Sequence, residues 1–149
     1  MKRRAFLAAL TVSLTLGLLP SVGFAAGQKM TLYKDPQCSC CEIYAQYMRA
    51  NGFDVTVVPT NDLATMSEEH GIPANLQGCH LSLIDEYAIG GHVPVDVVKR
   101  LLAGNPPVKA ITLPGMPMGG PGMMPGQKMG PFTIYAINND GSTIVYATE

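Results

Sequence analysis

Cysteine and histidine carry most of the chemistry that this sequence offers. Cys38, Cys40 and Cys41 stand within one short stretch, and Cys79 is followed directly by His80. Cys38 and Cys41 have the CxxC spacing of a redox pair, and a cysteine at a helix N-terminus has a lowered pKa that favours the thiolate. A thiolate is both a nucleophile and a ligand for soft metals. A third cysteine at this turn exceeds what a dithiol catalyst needs and therefore indicates a metal.

Methionine adds a second kind of sulfur ligand in one unusual segment. Residues 114–131 are so rich in Gly, Pro and Met that a helix or a central strand is excluded. The segment is therefore a loop, and its thioethers belong to Met116, Met118, Met123, Met124 and Met129. Clustered thiolate, thioether and imidazole form a soft ligand set that favours Cu(I). An alternative is a flexible loop in which methionine is only an adaptable filler.

The elements that must position these residues follow from the apolar pattern. Strands are predicted over residues 29–34, 53–58, 81–84, 87–89, 108–113, 131–138 and 142–148. Helices are predicted over residues 41–50 and 95–102, and a short helix capped by Asn61 or Asp62 is predicted to run through Met66 to His70. One face of the first helix is predicted to hold Ile43, Tyr44, Tyr47 and Met48. The order is that of an α/β, thioredoxin-like fold with extra C-terminal β-strands and a Met/Gly/Pro-rich loop.

Topology predicts where the ligands meet. If the third strand is antiparallel to the first, Cys79 and His80 lie at the same sheet edge as the turn that holds Cys38. The hairpin then returns to this edge at His92, and the strand over residues 108–113 starts the methionine-rich loop there. The predicted metal ligands are therefore Cys38, Cys40, Cys41, Cys79, His80, His92, Met116 and Met118.

Three other readings of the cysteines stay open. Four cysteines in an exported protein can form two structural disulfides. Zinc is a second option, with Cys38, Cys41, Cys79 and His80 as ligands. A third is a thiol-disulfide oxidoreductase that uses Cys38 as nucleophile and Cys41 as resolving thiol, without metal.

Composition and the N-terminus narrow the class of protein. With 149 residues and a net charge of -1, the chain is one domain and lacks the basic surface of a nucleic-acid binder. Residues 1–25 have a basic start, an apolar core of about 15 residues and small residues before Ala25, which is typical of a secretory signal peptide. Arg3 and Arg4 leave twin-arginine export open. No membrane span is predicted after cleavage, so residues 26–149 form a periplasmic or otherwise exported domain.

Five short segments also resemble a known family, namely residues 33–41 (YKDPQCSCC), 51–55 (NGFDV), 78–80 (GCH), 91–94 (GHVP) and 113–117 (LPGMP). Together they are similar to the small exported thioredoxin-like metal-binding family that includes the periplasmic copper-resistance protein CopG. The family usually has glycine where this chain has Ser39. The resemblance implies a thioredoxin-like fold and copper handling in Gram-negative bacteria. It also implies that Cu(I), as single ions or as a multinuclear cluster, is gathered by Cys38, Cys40, Cys41 and Cys79.

The sequence thus predicts an exported protein that holds Cu(I) through clustered cysteines and acts in copper resistance or homeostasis. His80, His92 and the methionine-rich loop are predicted as secondary or transfer ligands. Redox cycling of the copper is an option, because imidazole is a suitable ligand for both Cu(I) and Cu(II). Whether the protein is an enzyme stays open. Its predicted partners are copper ions and other periplasmic copper-handling proteins.

Overall fold

The computed structural model describes residues 27–123 and 130–149. The predicted signal peptide, residues 1–25, lies outside the described residues, as do Met124 and Met129 of the predicted loop. Among the helices in these two ranges, none combines the length and apolar character that are needed to cross a membrane.

Within these ranges the chain forms one seven-stranded sheet and three α-helices. The strands are β1 (Gln28–Lys34), β2 (Phe53–Pro59), β3 (His80–Ile84), β4 (Tyr87–Gly90), β5 (Val108–Thr112), β6 (Thr133–Asn138) and β7 (Thr143–Thr148). The helices are α1 (Ser39–Ala50), α2 (Leu63–Glu69) and α3 (Val95–Gly104), and a short 3-10 helix covers Ala74–Leu76. The prediction of a mixed α/β fold with extra C-terminal strands is confirmed, while its thioredoxin-like arrangement stays a prediction.

The strands lie in the order β2-β1-β3-β4-β5-β6-β7. β1 is parallel to β2 and β4 is parallel to β5, whereas the other neighbouring strands are antiparallel. On one face of the sheet, Tyr44 of α1 and Leu101 of α3 pack into the main apolar core. On the other face, Leu63 and Met66 of α2 pack around Leu81 in a second, smaller core. The central part of the sheet is thus the middle of three layers.

Helix α1 begins inside the cysteine motif. Its buried residues recur at helical spacing and are Cys41, Tyr44, Ala45 and Met48. Ile43, which the pattern places on the same face as Tyr44, is 41% exposed, whereas Cys41 is fully buried. Ser39 is the first helical residue and is not among the residues with positive φ, so its position does not require glycine.

Candidate metal centre

Four strand ends meet at one edge of the sheet, as the sequence predicted. β1 and β3 are antiparallel, and Lys34 at the end of β1 lies opposite His80 at the start of β3. β4 returns to this edge at Gly90, and β5 runs parallel to β4 and ends beside it. Three segments therefore converge at this edge: the cysteine turn after β1, the segment of Cys79 before β3, and the loop of His92 after β4.

Two glycines allow these segments to approach closely. A Cβ on Gly78 would lie 2.4 Å from the Cα atom of Gly91, and a Cβ on Gly91 would lie 2.4 Å from the carbonyl oxygen of Leu113. Gly91 also has a φ of +69°, which glycine adopts most readily. A side chain at Gly78 would push the segment of Cys79 away from the loop of His92, and a side chain at Gly91 would push this loop away from Leu113.

The four cysteines form one group of sulfur atoms. All four Sγ atoms, those of Cys38, Cys40, Cys41 and Cys79, lie within 4.8 Å of one another. Cys38 and Cys41 are joined by a disulfide. Cys40 Sγ lies 3.5 Å from Cys38 Sγ and 3.8 Å from Cys79 Sγ. Cys40, which has no role in a four-ligand zinc site, is therefore in close contact with two other sulfurs.

Cys79 belongs to two groups of ligand atoms. Its Sγ also lies 3.0 Å from His92 Nε2 and 3.5 Å from His80 Nδ1, and these three ligand atoms form a second compact group. Burial, followed by the nearby Cys40, raises the pKa of the Cys79 thiol to about 12. The thiol is therefore protonated at neutral pH in the metal-free protein, and a metal ion that binds there must displace the proton.

Both histidines are buried in the neutral form. His80 is 1% exposed and His92 is 0% exposed. Burial lowers the pKa of His80 well below its usual value, and the neighbouring His92 lowers it further. Burial also lowers the pKa of His92. His80 Nε2 has no hydrogen-bond partner among the described residues. A neutral imidazole with an available lone pair is the form that binds metal ions.

Tyr44 of α1 packs against both histidines. The centroid of its ring lies 4.5 Å from that of His80 and 5.2 Å from that of His92. Its hydroxyl donates a hydrogen bond of 2.8 Å to the carbonyl oxygen of Val93. Burial raises the pKa of Tyr44, so the side chain stays a neutral phenol. Tyr44 therefore restrains both histidine rings on the side that faces α1.

The buried ammonium group of Lys34 stabilises the cysteine turn, a role that the sequence pattern does not indicate. Its side chain is only 4% exposed. The ammonium group donates to the carbonyl oxygens of Asp35, Pro36 and Cys38 at 3.1, 3.3 and 3.2 Å. It also lies 3.4 Å from a carboxylate oxygen of Glu42. A buried ammonium requires such partners, and three of them are main-chain groups, so Lys34 fixes the shape of the turn.

The described part of the methionine-rich loop reaches the histidines through its backbone. The carbonyl oxygen of Pro121 lies 2.7 Å from His92 Nδ1. Met116 and Met118 are each 58% exposed. The assignment of these two thioethers as metal ligands stays a prediction.

Comparisons with known proteins agree with this arrangement. The chain resembles two solved structures of a copper resistance protein CopG, its form 1 and form 2, each with a TM-score of 0.76 and 28% sequence identity. The first match covers 83% of this chain and 98% of that chain, and the second covers 81% and 97%. The predicted resemblance to a CopG-like family is confirmed.

A further match covers only the part of the site that follows α2. Residues 76–123 match the family described as "Protein of unknown function, DUF411". This range contains Cys79, His80 and His92 but not the cysteine turn. No curated protein matches the chain. The family match thus includes the histidine side of the site and does not extend to the cysteine turn.

The chemistry of the site depends on the state of its disulfide. With Cys38 and Cys41 joined, the free thiols are Cys40 and Cys79. Addition of two electrons and two protons to the disulfide yields four thiols beside two neutral imidazoles. This ligand set suits soft ions such as Cu(I), and four of its members also meet the requirements of zinc. The same CxxC disulfide is the group that a thiol-disulfide oxidoreductase would cycle.

Proposed function

We propose that the chain is an exported copper-binding protein that holds Cu(I) and acts in copper resistance or homeostasis. The observation that carries this proposal is the gathering of four cysteine sulfurs within 4.8 Å at one edge of the sheet. Thiolates are the protein ligands that favour Cu(I), and the similar solved structures are those of a copper resistance protein. The primary ligands in this proposal are Cys38, Cys40, Cys41 and Cys79.

The geometry also supports a cluster of more than one copper ion. Cys40 Sγ lies within 3.8 Å of the sulfurs of Cys38 and Cys79, and Cys79 Sγ is shared with the histidine group. A sulfur near two groups of ligands can bridge two ions. In this proposal His80 and His92 complete the coordination at the second group. They also make one-electron cycling between Cu(I) and Cu(II) feasible, because imidazole suits both states.

Transfer of copper is assigned to the exposed thioethers. Met116 and Met118 are accessible from solvent, and they belong to a loop whose backbone contacts His92. An accessible, weakly binding thioether can accept Cu(I) from another periplasmic copper-handling protein and pass it to the thiolates. The leader-like residues 1–25 support export, which would bring the protein into contact with such partners.

The first test measures copper per chain. The full chain is expressed with its leader, recovered from the periplasmic fraction, reduced and loaded with Cu(I) without oxygen. We expect more than one copper per chain and a lower number for Cys40→Ser. The matched control is Ser39→Ala, because Ser39 is exposed and adjacent in sequence. A copper number that is unchanged in Cys79→Ser would contradict the proposal.

The same variants separate copper from zinc. A zinc site made of Cys38, Cys41, Cys79 and His80 holds one ion per chain and leaves Cys40 unused. We therefore expect Cu(I) to displace zinc from the reduced chain and Cys40→Ser to lower copper binding. Retention of one zinc ion against Cu(I), with no effect of Cys40→Ser, would favour zinc.

A second candidate function is thiol-disulfide exchange, and the Cys38–Cys41 disulfide at the start of α1 is the observation that favours it. The Cys38 thiolate would attack a substrate disulfide, forming a mixed disulfide and releasing one thiol of the substrate. The Cys41 thiolate would then displace the second thiol, leaving the Cys38–Cys41 disulfide and a reduced substrate. Reduction of insulin by the reduced, metal-free chain tests this candidate. Fast reduction that is lost in Cys38→Ser would support it over copper binding.

A further inference from the structure

We propose that the methionine-rich loop determines which ring nitrogen His92 presents to a metal ion, and that it does so through the main-chain carbonyl of Pro121. Pro121 is thus a positioning residue for a ligand rather than a ligand itself. The inference rests on the proposed metal-binding function and adds a role for the loop that does not depend on its thioethers.

The hydrogen bonds of the His92 ring specify one tautomer. Nδ1 lies 2.7 Å from the carbonyl oxygen of Pro121. A carbonyl oxygen only accepts hydrogen bonds, so Nδ1 must carry the hydrogen. In a neutral ring the lone pair is then on Nε2, which lies 3.0 Å from Cys79 Sγ. The nitrogen that faces the sulfur cluster is therefore the one that is free to bind a metal ion.

His80 provides a contrast within the same site. Its Nδ1 lies 3.5 Å from Cys79 Sγ, and its Nε2 has no hydrogen-bond partner among the described residues. The backbone of Gly91 favours the protonated form of the His80 ring, but neither ring nitrogen makes a hydrogen bond with a main-chain carbonyl as close as the 2.7 Å contact of His92 in the described residues. Of the two histidines, His92 has its tautomer set by the protein, as is common when the second nitrogen of a metal-binding histidine donates to a carbonyl.

The loop is held in place by a close contact between backbones. A Cβ on Gly122 would lie 2.6 Å from the Cα atom and 2.7 Å from the nitrogen of Tyr44. Gly122 also has a φ of +72°. Tyr44 in turn is fixed in α1 and through its hydroxyl bond to Val93. The absence of a side chain at residue 122 therefore lets the Pro121 carbonyl approach His92.

The chain offers a matched pair of substitutions. Gly122→Ala places a methyl group against the backbone of Tyr44, whereas Gly115→Ala places one where no atom lies within 4 Å. Gly115 has a φ of +69°, so both variants carry nearly the same backbone strain. They differ in whether the added methyl group meets the backbone of α1.

The test observes the tautomer directly in the reduced, metal-free full chain. Nitrogen-15 NMR of the histidine rings distinguishes the two tautomers by the chemical shifts of Nδ1 and Nε2. We expect the hydrogen of His92 on Nδ1 in the wild type and in Gly115→Ala, and a shift of the population toward hydrogen on Nε2 in Gly122→Ala. Unchanged His92 shifts in a folded Gly122→Ala would overturn the inference. If this variant does not fold, the wild-type spectrum still tests the inference, because a hydrogen on Nε2 of His92 would overturn it.

A second measurement connects the tautomer to metal binding. We expect Gly122→Ala to weaken Cu(I) affinity about tenfold, which is the usual effect of losing a group that orients a ligand. Gly115→Ala should stay within about twofold of the wild type. Equal affinities for the two variants, despite a changed tautomer, would contradict the positioning role. Absence of copper binding in the wild type would instead reject the proposed function and leave the tautomer result standing.

Discussion

The cysteine edge of the sheet and the methionine-rich loop both carry sulfur, but the fold holds them in different ways. Each cysteine adjoins a strand end or the first turn of α1, and Cys41 is completely buried. Met116 and Met118 lie on a loop and are each 58% exposed. The loop touches the site through the Pro121 carbonyl and the backbone of Gly122. The gathering of sulfur atoms is thus determined by the strand ends and the helix turn that carry the cysteines, and not by the amount of sulfur in the sequence.

The largest effect should come from the residue that both ligand groups share. Cys79→Ser removes the sulfur that lies near Cys40, His80 and His92 at once. We expect Cu(I) affinity to fall by more than about 100-fold, which exceeds the usual cost of losing an outer group. Competition with a chromogenic Cu(I) chelator measures this change. A loss no greater than that of the Met116→Leu variant would remove the distinction between the two regions.

An intermediate effect is expected from the support of the cysteine turn. Lys34→Met keeps the apolar part of the side chain but leaves three main-chain carbonyls without their donor. We expect the free energy of unfolding to fall by about 1–3 kcal/mol and Cu(I) affinity to fall about tenfold. Denaturant titration and chelator competition measure the two quantities.

Glu42→Gln is the control for this prediction. It removes only the ion pair of Lys34 with a carboxylate whose side chain is 50% exposed. Such a pair contributes about 0–1 kcal/mol, so copper affinity should hardly change. If Glu42→Gln lowered affinity as much as Lys34→Met, the charge pair rather than the carbonyl contacts would support the turn.

The smallest effect on equilibrium binding is expected in the loop. The double variant Met116→Leu and Met118→Leu should change the free energy of Cu(I) binding by less than about 0.5 kcal/mol, as is usual for exposed residues. It should nevertheless slow the delivery of copper from a donor, because the accessible thioethers are lost. Stopped-flow transfer from a Cu(I) chelate measures the rate. A loss of stoichiometry equal to that of a cysteine variant would place these thioethers among the primary ligands.

The sequence predicted the edge at which the cysteines meet because strand direction alone determines it. Antiparallel pairing of β1 with β3 places Lys34 opposite His80, and this brings Cys79 to the cysteine turn. The apolar spacing also predicts the helix that carries Cys41, although Ile43, which shares a face with Tyr44 in this pattern, is exposed in the structure. Such features depend on local patterns and chain topology, which a sequence contains.

Other features depend on contacts between distant segments and were not predictable in this way. Lys34 follows Met30 and Leu32 at every second position, so alternation places it on the inner face. The pattern does not reveal that main-chain carbonyls of the following turn accept hydrogen bonds from its ammonium group. Likewise, composition identified the loop, but the approach of Gly122 to Tyr44 requires the folded chain.

The central claim is that four cysteines act together as one Cu(I) site, and thiol footprinting tests it most directly. The reduced chain is titrated with Cu(I) without oxygen, then alkylated, and each cysteine is quantified by mass spectrometry. We predict that Cys38, Cys40 and Cys79, which are partly exposed, lose their reactivity together as copper is added, because their sulfurs and that of the buried Cys41 lie within 4.8 Å of one another. Continued alkylation of Cys40 or Cys79 at saturating copper would contradict the claim.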